Sequence, residues 1–468
     1  MHRIVFALLA MAGLFSGATA LPARSPAYAR EQIGVPSWLT PYRDDAARLI
    51  EAATADQFAW DRLAELTDTY GARLTGSDNL TRAIAWATAS MKADGFEKVR
   101  TEKVMGPRWV RGKESLEIVE PPHHTIPLLG LGGSMSTASE GLEAEVMVVS
   151  SMEQLQQRSA EAKGRIVLFD VPYTNYGETV AFRSGGARMA AQHGAVGMLL
   201  RSVGPIGLRT THTGGMQYGD EAPKIPAAAI SVEDAQRIHR LVDRGRTVRV
   251  RLRMEAHFEP DVETANVIAE LTGRERPEEV VLVGCHFDSW DAATGASDDA
   301  VGCIVTWEGL RLMKKLGIRP RRTVRLVLFT NEENGLRGGN AYRDKYARDA
   351  EQHVLAIESD SGVFAPAHLA FSGSESARRV ISEIGTLLAG IDMQHVGPGG
   401  GGADIGPIAQ LGRVPMMAYA GDSTKYFTIH HTPADTVERI LPAEVSKAAA
   451  SLAVMTYVVA EMPERLPK

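Results

Sequence analysis

Histidine and acidic residues follow three short apolar segments of the chain, close to the point where each segment ends. The segments are β-branched and apolar throughout, which is typical of strands that are buried on both faces. In open α/β sheets, ligands bind beyond the carboxyl ends of the strands. The sequence therefore predicts one polar site at this edge, built from His286 and Asp288 after 280–283, Glu332 and Glu333 after 324–329, and Glu358 and Asp360 after 354–357.

The types of these side chains favour a catalytic metal centre. Two imidazoles and three carboxylates, without a thiolate, suit zinc in a catalytic rather than a structural role. Two ions that share one carboxylate can activate a water molecule and polarise a carbonyl oxygen. The candidate ligands are His286, Asp298, Glu333, Asp360 and His431, with Asp298 as the shared carboxylate.

Two further acidic residues have candidate roles next to these ligands. Asp288 lies two residues after His286, where its carboxylate could hold the second ring nitrogen, as is usual for zinc-binding histidines. Glu332 cannot easily point in the same direction as its neighbour Glu333. Glu332 is therefore free to act as a general base.

Other interpretations of single residues remain open at this point. An isolated acidic residue after a strand is more often a solvated loop residue, and only the repetition over three strands favours a site. Ser297, Asp298 and Asp299 begin a helical pattern that ends at Gly317, and these residue types also cap helices. One of the two aspartates can cap the helix while the other points into the site.

The surrounding pattern predicts an α/β catalytic domain that is interrupted by a second domain. Helical patterns cover 43–53, 57–70 and 80–93, with Asp56 and Asp78 as expected N-caps, and a long helix covers 442–462. Between the two halves, strands and helices alternate without a metal-ligand pair, which favours a lid or substrate-shaping domain. The predicted limits are 41–120 and 259–468 for the catalytic domain and 121–258 for the inserted domain.

Composition and the N-terminus indicate an exported protein. A net charge of -6 with both signs interspersed argues against nucleic acid as a partner. Residues 1–20 have the pattern of a signal peptide, residues 21–40 that of a leader, and no later run suggests a membrane span. We therefore expect a periplasmic or secreted protein. Its two cysteines cannot form a disulfide framework, and Cys285 is expected to be a small buried apolar residue.

Taken together, five motifs resemble one family of enzymes. They are H-x-D at His286, D-D-A-x-G at Asp298, N-E-E-x-G-L-x-G at Asn331, E-S-D at Glu358 and H-T-x-x-D-T at His431. The set resembles the exported di-zinc metallopeptidases related to aminopeptidase Y and prostate-specific membrane antigen. The segments 286–291 and 425–427 look closest to the carboxypeptidase Q branch.

The resemblance implies a role for each site residue. His286 and Asp360 would bind one zinc ion, Glu333 and His431 the other, and Asp298 would bridge the two. Glu332 would be the general base, and Asp288 would orient His286. His430 stands where related enzymes have a tyrosine that stabilises the oxyanion, although a structural role for this histidine is equally compatible.

The fold and activity that the resemblance implies are equally specific. The fold is a three-layer α/β zinc exopeptidase domain with a mostly parallel central sheet and an inserted protease-associated α/β domain. The activity is hydrolysis of dipeptides or short peptides with free termini, or release of N-terminal residues from longer peptides. A non-catalytic binding protein and a one-zinc glutaminyl-cyclase-like enzyme fit less well, because all five ligands are present. A homodimer is compatible with the family.

Overall fold

The computed structural model describes residues 34–468, apart from 56, 121, 122, 206, 220 and 221. The expected signal peptide, most of the expected leader and the Asp56 cap lie outside the described residues. The chain begins there with a 3-10 helix at Ser37–Tyr42, and Leu39 in this helix is fully buried in the core. Residues just before 41 thus already belong to the folded domain.

Strands of the described residues form two separate sheets. In chain order they are β1 (Glu97–Val110), β2 (Glu114–Glu120), β3 (His124–Ile126), β4 (Leu128–Gly130), β5 (Leu142–Val149), β6 (Ile166–Phe169), β7 (Gly197–Arg201), β8 (Ala227–Ile230), β9 (Arg249–Met254), β10 (His257–Leu271), β11 (Arg276–His286), β12 (Arg322–Phe329), β13 (His353–Glu358), β14 (His368–Ser372), β15 (Val396–Pro398) and β16 (Met416–Ala420). The first sheet has the order β1-β10-β12-β11-β13-β16-β14-β15, and the second has the order β3-β2-β9-β5-β6-β7-β8-β4.

Helices cover the faces of both sheets. They are α1 (Arg43–Thr54), α2 (Phe58–Tyr70), α3 (Asp78–Ala93), α4 (Met152–Gln157), α5 (Ser159–Ala162), α6 (Tyr176–Gln192), α7 (Val232–Asp243), α8 (Val301–Lys315), α9 (Arg337–Tyr346), α10 (Glu375–Gly385), α11 (Gly406–Gly412), α12 (Ser423–Ile429) and α13 (Pro442–Glu461). A π-helical turn, Ala296–Ala300, precedes α8. Three further 3-10 segments are Ala347–Gln352, Thr386–Ile391 and Val437–Arg439.

The first sheet has a parallel middle and antiparallel pairings towards both edges. β12, β11, β13 and β16 run parallel, so their carboxyl ends meet at one edge. Alternate residues of β11 enter different cores: Val281 and Val283 pack with α8 and α13, whereas Val280 and Leu282 pack with α9 and α11. Burial on both faces explains the continuous apolar runs. The three predicted strands and the three-layer α/β class are therefore confirmed.

The second sheet contains the expected inserted block and one strand that precedes it. β5, β6, β7 and β8 are parallel, with α6 and α7 packed on opposite faces. β2 pairs with β9 in this sheet, although the sequence places residues 114–120 in the catalytic part. The chain therefore enters the second sheet before residue 121.

The long C-terminal helix is a core element. α13 is apolar enough to span a membrane by length and composition, with a mean hydropathy of 1.2, but 78% of this window is buried inside the protein. It packs against α1 and α8. Its apolar character is explained by contact with these helices, as expected for a helix in the middle of a layer.

Three local predictions are wrong, each for a specific reason. Ser77 rather than Asp78 caps α3, because the Ser77 hydroxyl accepts from the backbone N–H of Leu80. Neither Asp298 nor Asp299 caps α8, because the helix begins at Val301 and Ala300 takes the N-cap position. Cys285 is buried, as expected, but forms a disulfide with Cys303. The disulfide joins the end of β11 to the first turn of α8.

Candidate metal centre

The predicted ligands converge where the parallel strands end. His286 is the last residue of β11, Glu333 follows β12, and Asp360 follows β13. Asp298 comes from the irregular turn before α8, and His431 comes from the loop after α12. The non-helical backbone at Asp298 is what turns its carboxylate towards the strand ends instead of along the helix axis.

Asp298 stands between two pairs of side chains. Its Oδ1 lies 3.1 Å from His286 Nε2, which is also 3.4 Å from Asp360 Oδ1. Its Oδ2 lies 3.0 Å from His431 Nε2, which is also 3.0 Å from Glu333 Oε2. One carboxylate thus faces a His–Asp pair on one side and a His–Glu pair on the other, which is the arrangement expected of a bridging ligand.

The buried side chains of the site carry more carboxylates than cationic groups, so negative charge is in excess unless further cations are present. Burial, and then the Asp298 carboxylate, raise the pKa of Glu333 to about 7. Burial disfavours the charged form of His286, but Asp360 and Asp298 outweigh it and raise the pKa of this histidine well above its usual value. Asp298 Oδ2 is buried without a well-formed hydrogen bond among the described residues, although His431 Nε2 is close. Lone pairs that face a common point in this way fit a metal ion.

Asp288 supports the site by a different route from the predicted one. The second ring nitrogen of His286, Nδ1, lies 3.0 Å from the backbone carbonyl of Asp288, not from its carboxylate. The carboxylate instead accepts the backbone N–H groups of Glu332 and Glu333, at 3.1 and 3.4 Å. The expected carboxylate–histidine contact is therefore corrected: the carbonyl orients the ring, and the carboxylate positions the loop of the two glutamates.

The two adjacent glutamates point to different places. Glu333 accepts the backbone N–H of Trp290 at 3.1 Å through Oε1 and approaches His431 through Oε2. Glu332 lines a cavity of about 420 Å³ together with Glu333, Trp109 and Phe258. Burial and the neighbouring Asp360 raise the pKa of Glu332 well above its usual value. The chain thus separates a potential metal ligand from a potential base within two consecutive residues.

His430 lies beside Asp298 as well. Its Nε2 is 3.3 Å from Asp298 Oδ2, and its ring stacks on His431 with 3.6 Å between the ring centroids. Burial, together with His431, holds the pKa of His430 well below its usual value. A neutral ring can donate one hydrogen bond from nitrogen at this position.

Several residues around the site were not singled out from the sequence. Asp435 accepts the backbone N–H groups of Ser297 and Asp298 at 2.8 and 3.1 Å, so it holds the turn that presents Asp298. Its place as the aspartate of the H-T-x-x-D-T motif was the feature of the sequence that could have identified Asp435. Arg73 is fully buried and donates to the carbonyls of Phe287 and Thr294.

The second sheet contributes residues to the same region. Arg183 on α6 places Nη1 3.2 Å from Nδ1 of His431, and the N–H of Thr213 donates to the His431 carbonyl at 2.8 Å. Tyr176 stacks on Phe427 at 4.7 Å between centroids. Arg183 also lines the 420 Å³ cavity, as Glu332 does. These contacts cross between segments far apart in the chain, and no local pattern indicates them.

The glycine run at 399–402 approaches the site closely. A Cβ at Gly402 would lie 2.0 Å from the carboxylate carbon of Glu358, so only glycine fits there. Glu358 is fully buried and accepts the N–H of Ile405 at 2.9 Å. Ala403, next in the chain, lines the cavity. The run therefore leads the chain past Glu358 to Ala403 at the cavity wall.

Comparison with known proteins gives consistent matches. The model of Peptidase family M28 matches residues 266–456, and that of the PA domain matches residues 120–238. Carboxypeptidase Q of Homo sapiens is 44% identical over 414 residues, 88% of each chain, and that of Mus musculus is 43% identical over 430 residues, 91% of each chain.

Solved structures of similar proteins extend these matches to the fold. A Peptidase M28 precursor from Shewanella amazonensis SB2B superimposes with a TM-score of 0.87 at 32% identity, over 92% of this chain and 98% of that one. A zinc aminopeptidase from Bacillus subtilis, BSAP, has a TM-score of 0.66 at 20% identity, over 87% and 96% of the two chains. The second likeness concerns the fold alone.

Proposed function

Because this chain belongs to peptidase family M28 and is a peptide hydrolase, we propose that it is a two-zinc exopeptidase acting on dipeptides or short peptides with free termini. The observation that carries the proposal is the position of Asp298 between the His286–Asp360 and Glu333–His431 pairs. The first pair would hold one ion and the second pair the other.

The residues present fit two zinc ions. Imidazole nitrogen and carboxylate oxygen are its usual ligands in catalytic sites. The buried and poorly bonded Asp298 Oδ2 and the raised pKa of Glu333 both indicate a place where positive charge is missing. When bound, the ions would acidify a water molecule and polarise the carbonyl of the scissile bond.

Glu332 would carry the proton during the reaction. Its carboxylate faces the cavity, where it would accept a proton from the attacking water and deliver it to the leaving amine. Asp288 would keep this base in position by holding the backbone N–H of Glu332. His430 would donate a hydrogen bond to the oxyanion that forms at the carbonyl. A purely structural His430 would instead leave turnover unchanged when it is replaced by a residue of similar shape.

The size of the cavity supports short substrates. A volume of about 420 Å³ lies in the range of small-molecule sites, roughly 300–1,000 Å³, and its walls come from both sheets. The inserted domain would close one side; the limits expected from the sequence, 121–258 between 41–120 and 259–468, are extended in this proposal to include β2 at Glu114–Glu120. Residues 1–20 would direct export of the protein, which predicts that the mature N-terminus follows residue 20.

A substrate panel on the purified protein tests the proposal. Free dipeptides should be cleaved, and N-blocked dipeptides should not. Rapid turnover of aminoacyl-arylamides and longer peptides, with slow dipeptide cleavage, would assign the aminopeptidase activity instead. The protein should contain about two zinc ions per chain, and a chelator should abolish activity until zinc is returned. Full activity in metal-stripped protein would refute the two-zinc mechanism.

A further inference from the structure

The two cysteines of the chain lie at the ends of the segment that carries two of the proposed ligands. Cys285 is the penultimate residue of β11 and Cys303 is the third residue of α8, and their disulfide holds the two Cα atoms 5.0 Å apart. The enclosed segment, 286–302, contains His286 and Asp298. Both cysteines are fully buried in the core beneath it. Two ligands of the proposed centre therefore belong to one covalently closed loop.

The disulfide and the turn before α8 both contact the backbone of His286. Cys303 Sγ lies 3.1 Å from the carbonyl oxygen of His286. The backbone N–H of His286 donates to Oδ2 of Asp299 at 3.2 Å, and Asp299 is the residue next to Asp298. The strand end that presents the histidine is thus fixed directly against the turn that presents the shared carboxylate.

The remainder of the loop is irregular and is held by hydrogen bonds. Residues 287–295 belong to no helix or strand. Arg73 donates to carbonyl groups at both ends of this stretch, and Asp435 accepts two backbone N–H groups of the turn that follows it. Hydrogen bonds of this kind can be exchanged for hydrogen bonds to water, whereas the disulfide is a covalent bond. The disulfide therefore limits how far the ends of the loop can separate if its hydrogen bonds open.

Electrostatic repulsion makes such a limit useful in metal-free protein. Carboxylate oxygens of Asp298, Glu333 and Asp360 all lie within 3.4 Å of the two site histidines. Like charges this close repel strongly where water is scarce. A loose loop would relieve the repulsion by moving Asp298 outwards. A loop closed at its base retains the geometry that binds metal, so that less ordering has to accompany binding.

We infer that the disulfide between Cys285 and Cys303 positions the metal centre by holding segment 286–302 in its metal-binding conformation. The inference rests on the proposed function, because it concerns the zinc centre described there. The two cysteines are positioning residues that act through His286 and Asp298. Groups that orient metal ligands typically contribute about 10–100-fold to metal affinity. Loss of the disulfide should therefore lower zinc affinity by roughly this factor, and saturating zinc should restore turnover.

The zinc affinity of the metal-stripped full chain, measured by competition with a chelator of known affinity, tests this role. Cys285→Ala, Cys303→Ala and the double variant should all lose affinity to the same extent, because each breaks the same bond. Independent contributions of the two side chains would add instead. Leu312→Ala is the matched control, since Leu312 is fully buried in the same helix but outside the closed segment. This control should lower thermal stability and leave zinc affinity unchanged.

Several results would overturn the positioning role. They are two free thiols per chain of unfolded wild type, an unchanged zinc affinity in the folded double variant, additive losses in the single variants, and an equal loss in Leu312→Ala. If the double variant does not fold, Cys285→Val combined with Cys303→Ala replaces it, since valine fills part of the space of the sulfur atoms. A wild type that binds no zinc would refute the proposed centre as well. A wild type that binds zinc without cleaving peptides would refute only the proposed activity, because the affinity measurement does not depend on turnover.

Discussion

Replacing Glu332 by glutamine should remove catalysis while leaving the metal centre intact. Glu332 is bonded to Asp288 through its backbone N–H, which Glu332→Gln keeps, and its side chain lines the cavity. The glutamine keeps the size of the side chain but cannot accept the proton of the attacking water. Loss of general-base catalysis costs roughly 10²–10⁴-fold in turnover. This range corresponds to about 2.7–5.4 kcal/mol of activation free energy.

Glu333→Gln is the matched control, because it makes the same chemical change one residue away. Glu333 Oε2 lies 3.0 Å from His431 Nε2, and Oε1 accepts the Trp290 N–H at 3.1 Å. An uncharged amide should therefore weaken zinc binding itself, and added zinc should partly restore activity. Dipeptide turnover and zinc content per chain, measured side by side, separate the two roles. If Glu332→Gln loses zinc while Glu333→Gln retains it, the assignment of the pair is reversed.

The remaining predictions concern the metal-binding turn, the pH response and the substrate. Asp298→Ala should lower zinc content more than a change of any other ligand, because Asp298 faces both pairs; equal losses in Asp360→Ala would contradict a bridge. In metal-free protein, burial and neighbouring carboxylates raise the pKa of Glu333 and Glu358 to about 7. Between about pH 4.5 and 7, these two glutamates are therefore protonated in the folded state and ionised in the unfolded state, so the free energy of unfolding falls as the pH rises. The melting temperature of metal-free protein should fall between about pH 5 and 7, and zinc should remove this slope; a melting temperature that rises over the same range would refute it. A folded protein should not be cut at internal bonds, and fragments from such cuts would show that the cavity is open.

The catalytic strands and their polar ends could be predicted because both signals are local. The runs at 280–283, 324–329 and 354–357 are apolar on both faces, and each strand ends within a few residues of its polar group. Parallel pairing then brings those ends together without any need to know the loops. The α/β class follows from the same alternation of strands and helices, whereas the three-layer arrangement was implied by the resemblance to the metallopeptidase family.

Features that depend on backbone conformation or on distant contacts could not be predicted in this way. The turn at Asp298 looks like a helix cap in sequence, and only its non-helical dihedral angles turn the carboxylate into the site. The sequence favoured the Asp288 carboxylate as the partner of the second ring nitrogen of His286, but the backbone carbonyl of Asp288 makes this contact. Arg183 and His212 lie more than two hundred residues before His431, and their contacts exist only because the second sheet folds against the first.

The pairing of β1 with β10 has a consequence for the nascent chain. Glu97 pairs with Glu270 and Val110 with His257, so partners are separated by 270 − 97 = 173 and 257 − 110 = 147 residues. At synthesis rates of about 5–20 residues per second, β1 waits roughly 7–35 s for its partner to be made. During this time its 14 residues offer an unpaired backbone edge of the kind that recruits other chains. Slow production of the inserted domain therefore lengthens the interval in which aggregation competes with folding. A chaperone that covers β1 would protect its unpaired edge during that interval.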